Sequence, residues 1–528
     1  MNSGQWSVVS FGVVAAFALG IVSASALPED IVPRGDVAYD LLSSLSSAGQ
    51  VKGVSVADFF RGDRLYTRRE MAEFVADLLA TNDVFSLPSS TRSQIRALVV
   101  AFAPELRSRG VVLPNIPAGD AGFSFLLKAR AGATPVSGDL IGRLSVASAI
   151  GRDGYVAGSV GNYRDEWNAL RPLRDDFPPV ETLFVRYNTP AIDITIGRQP
   201  LRWGPGFSGA MVLGDDAPSI PQIRFEKGFF LPGSLGRRTG RLYFTQFAGQ
   251  VFEDEIPGVD SVATGTRRFI FGRRIETAGD RGAWKLSLAE SFKSTRLPGA
   301  GWAFVLPFYA YQNAFTDEPN NDEQRPFGFI TGGKTYPNTL WFNYLIDAQV
   351  SYRAIPDRDL TVYTDFLVDD IQAPKGLQGG MISTPRKVGF LLGGYCPRLD
   401  NAGKYGLRLE FSTIDPDTFG SVSAPVAYAI EGAPLGYPGG GNTRLFFGRF
   451  DTRVSEKAKA AAEIAVRRKD DKNRPGLSGN RFSLYGSYNL NRAAFLGARL
   501  DHVTGDIRLP NVSTQEETRG EVSIGYGF

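Results

Sequence analysis

From about Ala121 onward, apolar and polar residues alternate with a period of two, segment after segment, with turn residues between. Ile192, Ile194 and Ile196 share one face, and Asp193, Thr195 and Gly197 the other. Phe342, Tyr344, Ile346, Ala348 and Val350 oppose Asn343, Asp347, Gln349 and Ser351. The same holds for Tyr405, Leu407, Leu409 and Phe411 against Gly406, Arg408, Glu410 and Ser412. It holds again for Phe482, Leu484, Tyr488 and Leu490 against Ser483, Tyr485, Ser487 and Asn489, and for Val522, Ile524, Tyr526 and Phe528 at the end. About sixteen to eighteen such segments are readable, many near the ten residues that a tilted strand needs to cross a bilayer.

Physical chemistry closes this sheet. In hydrocarbon every backbone polar group needs a partner, so a spanning sheet cannot keep free edges. The second face carries Arg198, Arg408 and Arg499 beside Asp193, Asp347, Asp365, Glu410 and Asp501, charges that would be costly against lipid. That face is expected to line a wet or plugged lumen. The fold class expected is all-β, a transmembrane antiparallel barrel over 119–528, with a small N-terminal α-helical periplasmic domain over 27–118. Thr413 to Asn442 and Thr316 to Thr339 are candidate surface loops, or plugs folded into the lumen.

The amino-terminal part follows a different period. Met71, Phe74, Val75, Leu78 and Leu79 fall on one helical face, and Thr67-Arg68-Arg69-Glu70 before them forms a capping box. Ile95, Leu98, Val99 and Phe102 make a second face ending near Pro104, and Pro114, Pro117 and Gly119 mark a linker. Before it, Ser7 to Leu27 is the one long apolar run and ends in Ala24-Ser25-Ala26, so 1–26 reads as a cleaved signal peptide, although Met1 to Trp6 holds no Lys or Arg.

Composition narrows the function. Sixty glycines and 12% aromatics accompany an ordinary apolar fraction, which excludes a bundle of membrane helices. A formal charge of +3 over 528 residues gives no reason to expect nucleic acid as a partner. Cys396 is the only cysteine, so no intramolecular disulfide or cysteine-based metal site is possible, and neither metal nor cofactor is expected. A serine triad would need His502, the only histidine, which follows Asp501 and so points to the opposite face of a strand. Asp365 and Asp369 could form a carboxylate pair for glycoside cleavage, but nothing singles them out. No catalytic residue is assigned, and no enzyme activity is expected.

Two resemblances sharpen this reading. Val37-Ala-Tyr-Asp-Leu-Leu42, Gly49-Gln-Val-Lys-Gly53 and Phe59 to Ala72 resemble the S-layer-homology type of module, with Arg69 in place of a small residue. The resemblance implies contact of Thr67 and Arg68 with peptidoglycan or another wall polymer; a structural cap on the barrel is the alternative. Ile196-Gly-Arg-Gln-Pro-Leu-Arg-Trp-Gly-Pro-Gly206, followed by Gly209, Leu213, Pro218 and Pro221, resembles the capsule-assembly family typified by Wzi. Tyr363-Thr-Asp-Phe-Leu-Val-Asp-Asp370 is similar to a later strand of that family, whereas Arg202 stands where relatives often carry an aromatic residue. The resemblance implies an outer-membrane barrel that binds surface polysaccharide in a lectin-like way, in outer-membrane lipid and placed there by the barrel-assembly machinery. The residues that carry it are Trp203, Gly204, Pro205, Gly206, Pro218 and Pro221. An architectural role fits them as well: two glycines free of the usual backbone limits, a proline that fixes the turn, and a tryptophan packed inside the wall. Tyr163, Trp167, Trp302, Tyr311 and Tyr437 are further candidates for sugar contact. A diffusion porin tethered to the wall is the alternative function.

Overall fold

The computed structural model describes residues 30–527, except 34, 53, 60–64, 118, 133–138, 151–153, 162–179, 190–191, 215–218, 231–240, 254–265, 279–283, 295–341, 370–386, 420–427, 431–432, 470–477 and 506–516. Among the described residues five α-helices come first: α1 (Val37–Ser47), α2 (Val56–Phe59), α3 (Arg68–Thr81), α4 (Ser89–Ala101) and α5 (Ala103–Ser108). Asp36 caps α1, and Thr67 forms the capping box of α3, its hydroxyl accepting from the Glu70 amide at 3.2 Å while the Glu70 carboxylate accepts from the Thr67 amide at 2.8 Å. Pro104 does not end the helical region: it sits in the first turn of α5, where its missing N–H would be unpaired in any case. Met71, Val75 and Leu78 of α3 pack with Ile95, Leu98 and Phe102 in a shared core with α1.

Strands follow: β1 (Gly122–Gly132), β2 (Asp139–Ile150), β3 (Gly154–Gly161), β4 (Val180–Asn188), β5 (Asp193–Gln199), β6 (Ile220–Phe230), β7 (Arg241–Glu253), β8 (Thr266–Ala278), β9 (Trp284–Ser294) and β10 (Phe342–Ile355). After them come β11 (Leu360–Asp369), β12 (Val388–Cys396), β13 (Tyr405–Ile414), the short β14 (Ala429–Ile430) and β15 (Ala433–Pro434), then β16 (Thr443–Arg453), β17 (Ala458–Lys469), β18 (Gly479–Asn489), β19 (Ala494–Gly505) and β20 (Glu517–Gly527). Eighteen of them form one antiparallel sheet in which each pairs with its sequence neighbour, and β20 pairs back onto β1 from Leu126–Gly527 to Gly132–Glu521. The sheet is closed, and no strand in it has a free edge.

The two faces divide as the alternation predicts. Val522, Ile524, Leu409, Phe411, Phe482 and Leu484 are all exposed on the outside, while Arg408, Glu410, Ser412 and Ser483 are buried inside. Tyr187, Tyr352, Tyr488 and Tyr526 stand exposed near the strand ends beside the helices, where an aromatic girdle belongs. Such a belt on a closed barrel is a surface for lipid.

Two positions depart from the expected faces. Arg198 does not line the lumen: it pairs in register with outward Leu183, and its guanidinium donates to the Ser219 carbonyl at 3.2 Å beyond the end of β5. Its length lets the charge reach the strand end while the stem covers the wall. Tyr344 lies on the outward parity but is buried against Phe271 and Phe292.

The helices sit at one end of the barrel, where the connections are short; the opposite end carries the long ones, 162–179, 200–219, 295–341, 370–387 and 415–442.

Candidate functional site

The lumen is filled, and the filling is built from three parts. The first is the segment between β5 and β6. The Trp203 amide donates to the Leu213 carbonyl at 2.9 Å, which ties 203–213 into a loop directed into the barrel. Trp203 is buried, edge-on to Phe247 with ring centroids 5.4 Å apart, and the Arg274 guanidinium lies 5.9 Å from its ring. Gly272 makes room for this pair, since a Cβ there would stand 2.2 Å from Phe247 and 2.8 Å from Trp203. Gly204 has φ +150°, and a Cβ on it would stand 2.8 Å from an Asp365 carboxylate oxygen. Gly206 faces the Gly209 carbonyl in the same way, at 2.3 Å. Arg202 is buried and donates to the Gly206 carbonyl, closing the turn from inside.

At the tip, the amides of Phe207 and Ser208 both donate to the Glu410 carboxylate, at 2.5 and 2.7 Å. The Tyr363 hydroxyl donates to the same carboxylate at 2.5 Å. The Phe207 ring stacks on Phe447 at 5.3 Å and lies 4.9 Å from the Arg408 guanidinium and 5.8 Å from that of Arg449. Arg408 in turn covers Tyr395 at 3.9 Å. A wall of alternating rings and cations thus holds the tip, with each arginine also near a carboxylate.

The second part is the described portion of the connection from β13 to β16, which folds inward. Tyr428, Ile430, Leu435 and Tyr437 join Trp203, Met211 and Leu213 in one buried cluster with lumen-facing Leu345, Leu367 and Leu391. The Tyr428 hydroxyl donates to Ser291 at 2.6 Å, and that of Tyr437 accepts from Ser412 at 2.7 Å. The Gly214 amide donates to the Leu435 carbonyl at 2.6 Å, joining the two loops. The acidic strand β11 serves both. Asp365 accepts from the Met211 amide at 3.2 Å, and Asp369 from the Phe419 amide at 2.6 Å.

The third part is the helical layer. Asp30 accepts from Arg274 at 2.7 Å and from Lys285; Asp40 meets Arg143 and Ser145; Asp58 pairs with Lys459. Arg69 meets Asp359 in the turn from β10 to β11 at 2.5 Å, and the Tyr395 hydroxyl donates to Glu70 at 3.1 Å. Burial raises the pKa of the Asp30 carboxyl, but Arg274 and Lys285 outweigh it and hold the group below the usual carboxylate range.

The expected site residues find these places. Trp203, Gly204, Pro205 and Gly206 are buried in the inner loop. Pro221 is the second residue of β6, opposite Arg198, and Pro218 lies outside the described residues. Thr67 caps α3, and Arg68 pairs with Glu105 at 2.6 Å, donates to the Ala101 carbonyl and lies over Phe102. Burial disfavours the Arg68 charge, yet Glu105 raises its pKa and keeps it charged. Asp501 accepts from Ser483 inside the barrel, whereas His502 meets Thr518 across the strand pair. Cys396 is buried and free. Tyr437 is part of the plug; Tyr163, Trp167, Trp302, Tyr311 and 316–339 lie outside the described residues. Sequence reasoning passed over Phe207 and gave Arg202, noted as a departure from the family pattern, and Glu410, noted as a lumen charge, no part in holding the turn. The signal available was Arg202 itself, a charge inside a turn of glycines and aromatics.

No family model and no curated protein matches this chain. Among solved structures, it is similar to Wzi of Escherichia coli, an outer membrane protein involved in group 1 capsule assembly and described as a carbohydrate-binding β-barrel. The two share a TM-score of 0.54 and 13% identity over 94% of this chain and 99% of that one. The likeness is one of fold: both are closed β-barrels. Pseudomonas aeruginosa OpdK, solved with vanillate, is more distant, with a TM-score of 0.43, 11% identity and coverage of 78% of this chain and 98% of that one. OccK9 of the same organism gives 0.44 and 10% over 78% of this chain and 98% of that one.

Proposed function

We propose that this protein sits in an outer membrane with its helical domain in the periplasm, and that it holds polysaccharide at the cell surface through its long loops, without catalysis. The observation that carries the reading is the filled lumen: two inward loops and a helical layer occupy the path that a solute would take. A barrel so closed works at its ends. The orientation rests on the connections, since barrels of this kind keep short turns on the periplasmic side and long loops outside. Wzi, the fold neighbour described as carbohydrate-binding, supports the choice of ligand. The arginine, tryptophan and glycine positions of the Trp-Gly-Pro-Gly segment support the plug, and sugar contact falls to the outer loops.

The test pairs two measurements on the refolded full-length protein. Single-channel recording in a planar bilayer is expected to show no stable steps, and the same preparation is expected to retain exopolysaccharide from the producing strain on an affinity column. Porin-sized steps would replace this reading with the wall-tethered porin. Silence together with failure to retain polysaccharide would leave the barrel closed and the ligand wrong.

A further inference from the structure

At the helical end of the lumen a cavity of about 130 Å³ lies between α2 and the wall from β13 to β20. Deep in it, Arg449 is matched by Asp451 and Glu463, Arg499 by Asp501, and Lys459 by Asp58, and Glu521 lies opposite Arg499, so the floor carries paired charges of both signs. The mouth is different. Lys404, in the turn before β13, and Arg453, at the end of β16, are exposed and adjacent, with the Arg453 amide donating to the Lys404 carbonyl at 2.9 Å. Among the described residues, neither side chain has a carboxylate partner, and the Lys404 ammonium lies 5.4 Å from the Tyr405 ring. Between floor and mouth the lining supplies the hydroxyls of Ser487 and Ser523 and the edge of Tyr485.

We infer that this cavity binds the end of an acidic saccharide, entering from the helical side. A sugar carboxylate fits the two unmatched cations at the mouth, where charge-assisted hydrogen bonds form without first breaking an ion pair. The ring hydroxyls fit the two serine hydroxyls and the fixed ion pairs within, which both donate and accept. The site is distinct from the outer loops and does not rest on their binding polysaccharide, because it opens at the opposite end. Two sources carry the chemistry: a uronic-acid chain in transit, and a muramic-acid end of a wall polymer.

The test is titration calorimetry on the full-length protein in detergent with trigalacturonate, muramyl dipeptide and neutral maltotriose. The variants are the double substitution Lys404→Ala with Arg453→Ala, at exposed turn positions, and Ser487→Trp, which fills the cavity from the lumen face. Heat-modifiable gel mobility checks that each barrel is folded. At least one acidic probe is expected to bind, with maltotriose at least about fivefold weaker, and both variants are expected to weaken it about tenfold or more. Tighter binding of muramyl dipeptide assigns the wall polymer, and of trigalacturonate the uronic-acid chain. Binding of neither acidic probe, equal binding of maltotriose, or wild-type binding by the folded double variant overturns the assignment. Should Ser487→Trp fail to fold, the double variant decides alone.

Discussion

At the residue scale, Gly204 and Glu410 carry the inner loop. Gly204 has φ +150°, which L side chains rarely adopt, and its missing Cβ leaves space beside Asp365 and Ala210. Gly204→Ala is expected to cost about 1–3 kcal/mol through backbone strain, more if Asp365 has to move. Limited proteolysis of the folded barrel checks this, since loosening 203–213 exposes it to cleavage while the strands stay protected. Glu410→Gln keeps the shape but removes the charge that gathers the Phe207 and Ser208 amides and the Tyr363 hydroxyl. Hydrogen bonds to a charged group contribute about 1.5–3 kcal/mol each, so the same assay is expected to show an equal or larger loss. In the sequence the glycines and Trp203 were legible as a rigid turn. Glu410 was legible only as a lumen charge, because its partners lie some two hundred residues away along the chain.

At the scale of elements, alternation carried most of the information, and it failed where a neighbour changed the setting. Arg198 has the parity of Ile196 and faces outward, but sits close enough to the strand end to reach Ser219. The capping box at Thr67 was readable because it is local, with both partners inside four residues. Docking of the helices was not, since Asp30, Asp40 and Asp58 look like ordinary surface acids until the barrel surrounds them. Asp30 gives a prediction with a definite sign. Its folded pKa lies below the unfolded one, so its contribution is complete above about pH 4 and is lost as pH falls toward the folded value. Asp30→Asn leaves Arg274 and Lys285 without that partner and is expected to weaken docking by about 3 kcal/mol at neutral pH. Protease release of the helical domain, followed from pH 7 downward, is expected to show an acid-dependent loss in the parent that the variant lacks. Arg68→Ala is expected to lower stability within the helical domain itself by about 2–3 kcal/mol, because Glu105 stays buried without its cation; denaturant unfolding with a probe in α4 measures it.

On the scale of the whole molecule, the barrel has two barriers in series that rest mostly on different wall residues, with Arg274 shared between Asp30 and Trp203 and Phe447 shared between Phe207 and the core of the helices. The inner loops depend on β11, β13 and β16, through Asp365, Asp369, Glu410 and Phe447. The helices depend on Arg143 inside the wall at β2 and, nearer their own end, on β8, β9, the turn from β10 to β11, β12 and β17, through Arg274, Lys285, Asp359, Tyr395 and Lys459. Removing one layer therefore leaves the contacts of the other largely in place. Replacing 428–437 by a short Gly-Ser link is expected to leave the bilayer current near zero, because the helices still cover the far mouth. Weakening the helical layer alone, with Asp30→Asn and Lys459→Ala together, is expected to do the same, because the loops still cross the lumen. Only the combination is expected to give stable, voltage-independent steps. If either single change opened a large conductance, the layers would act as one plug rather than two, and the inner loops could not be the seal.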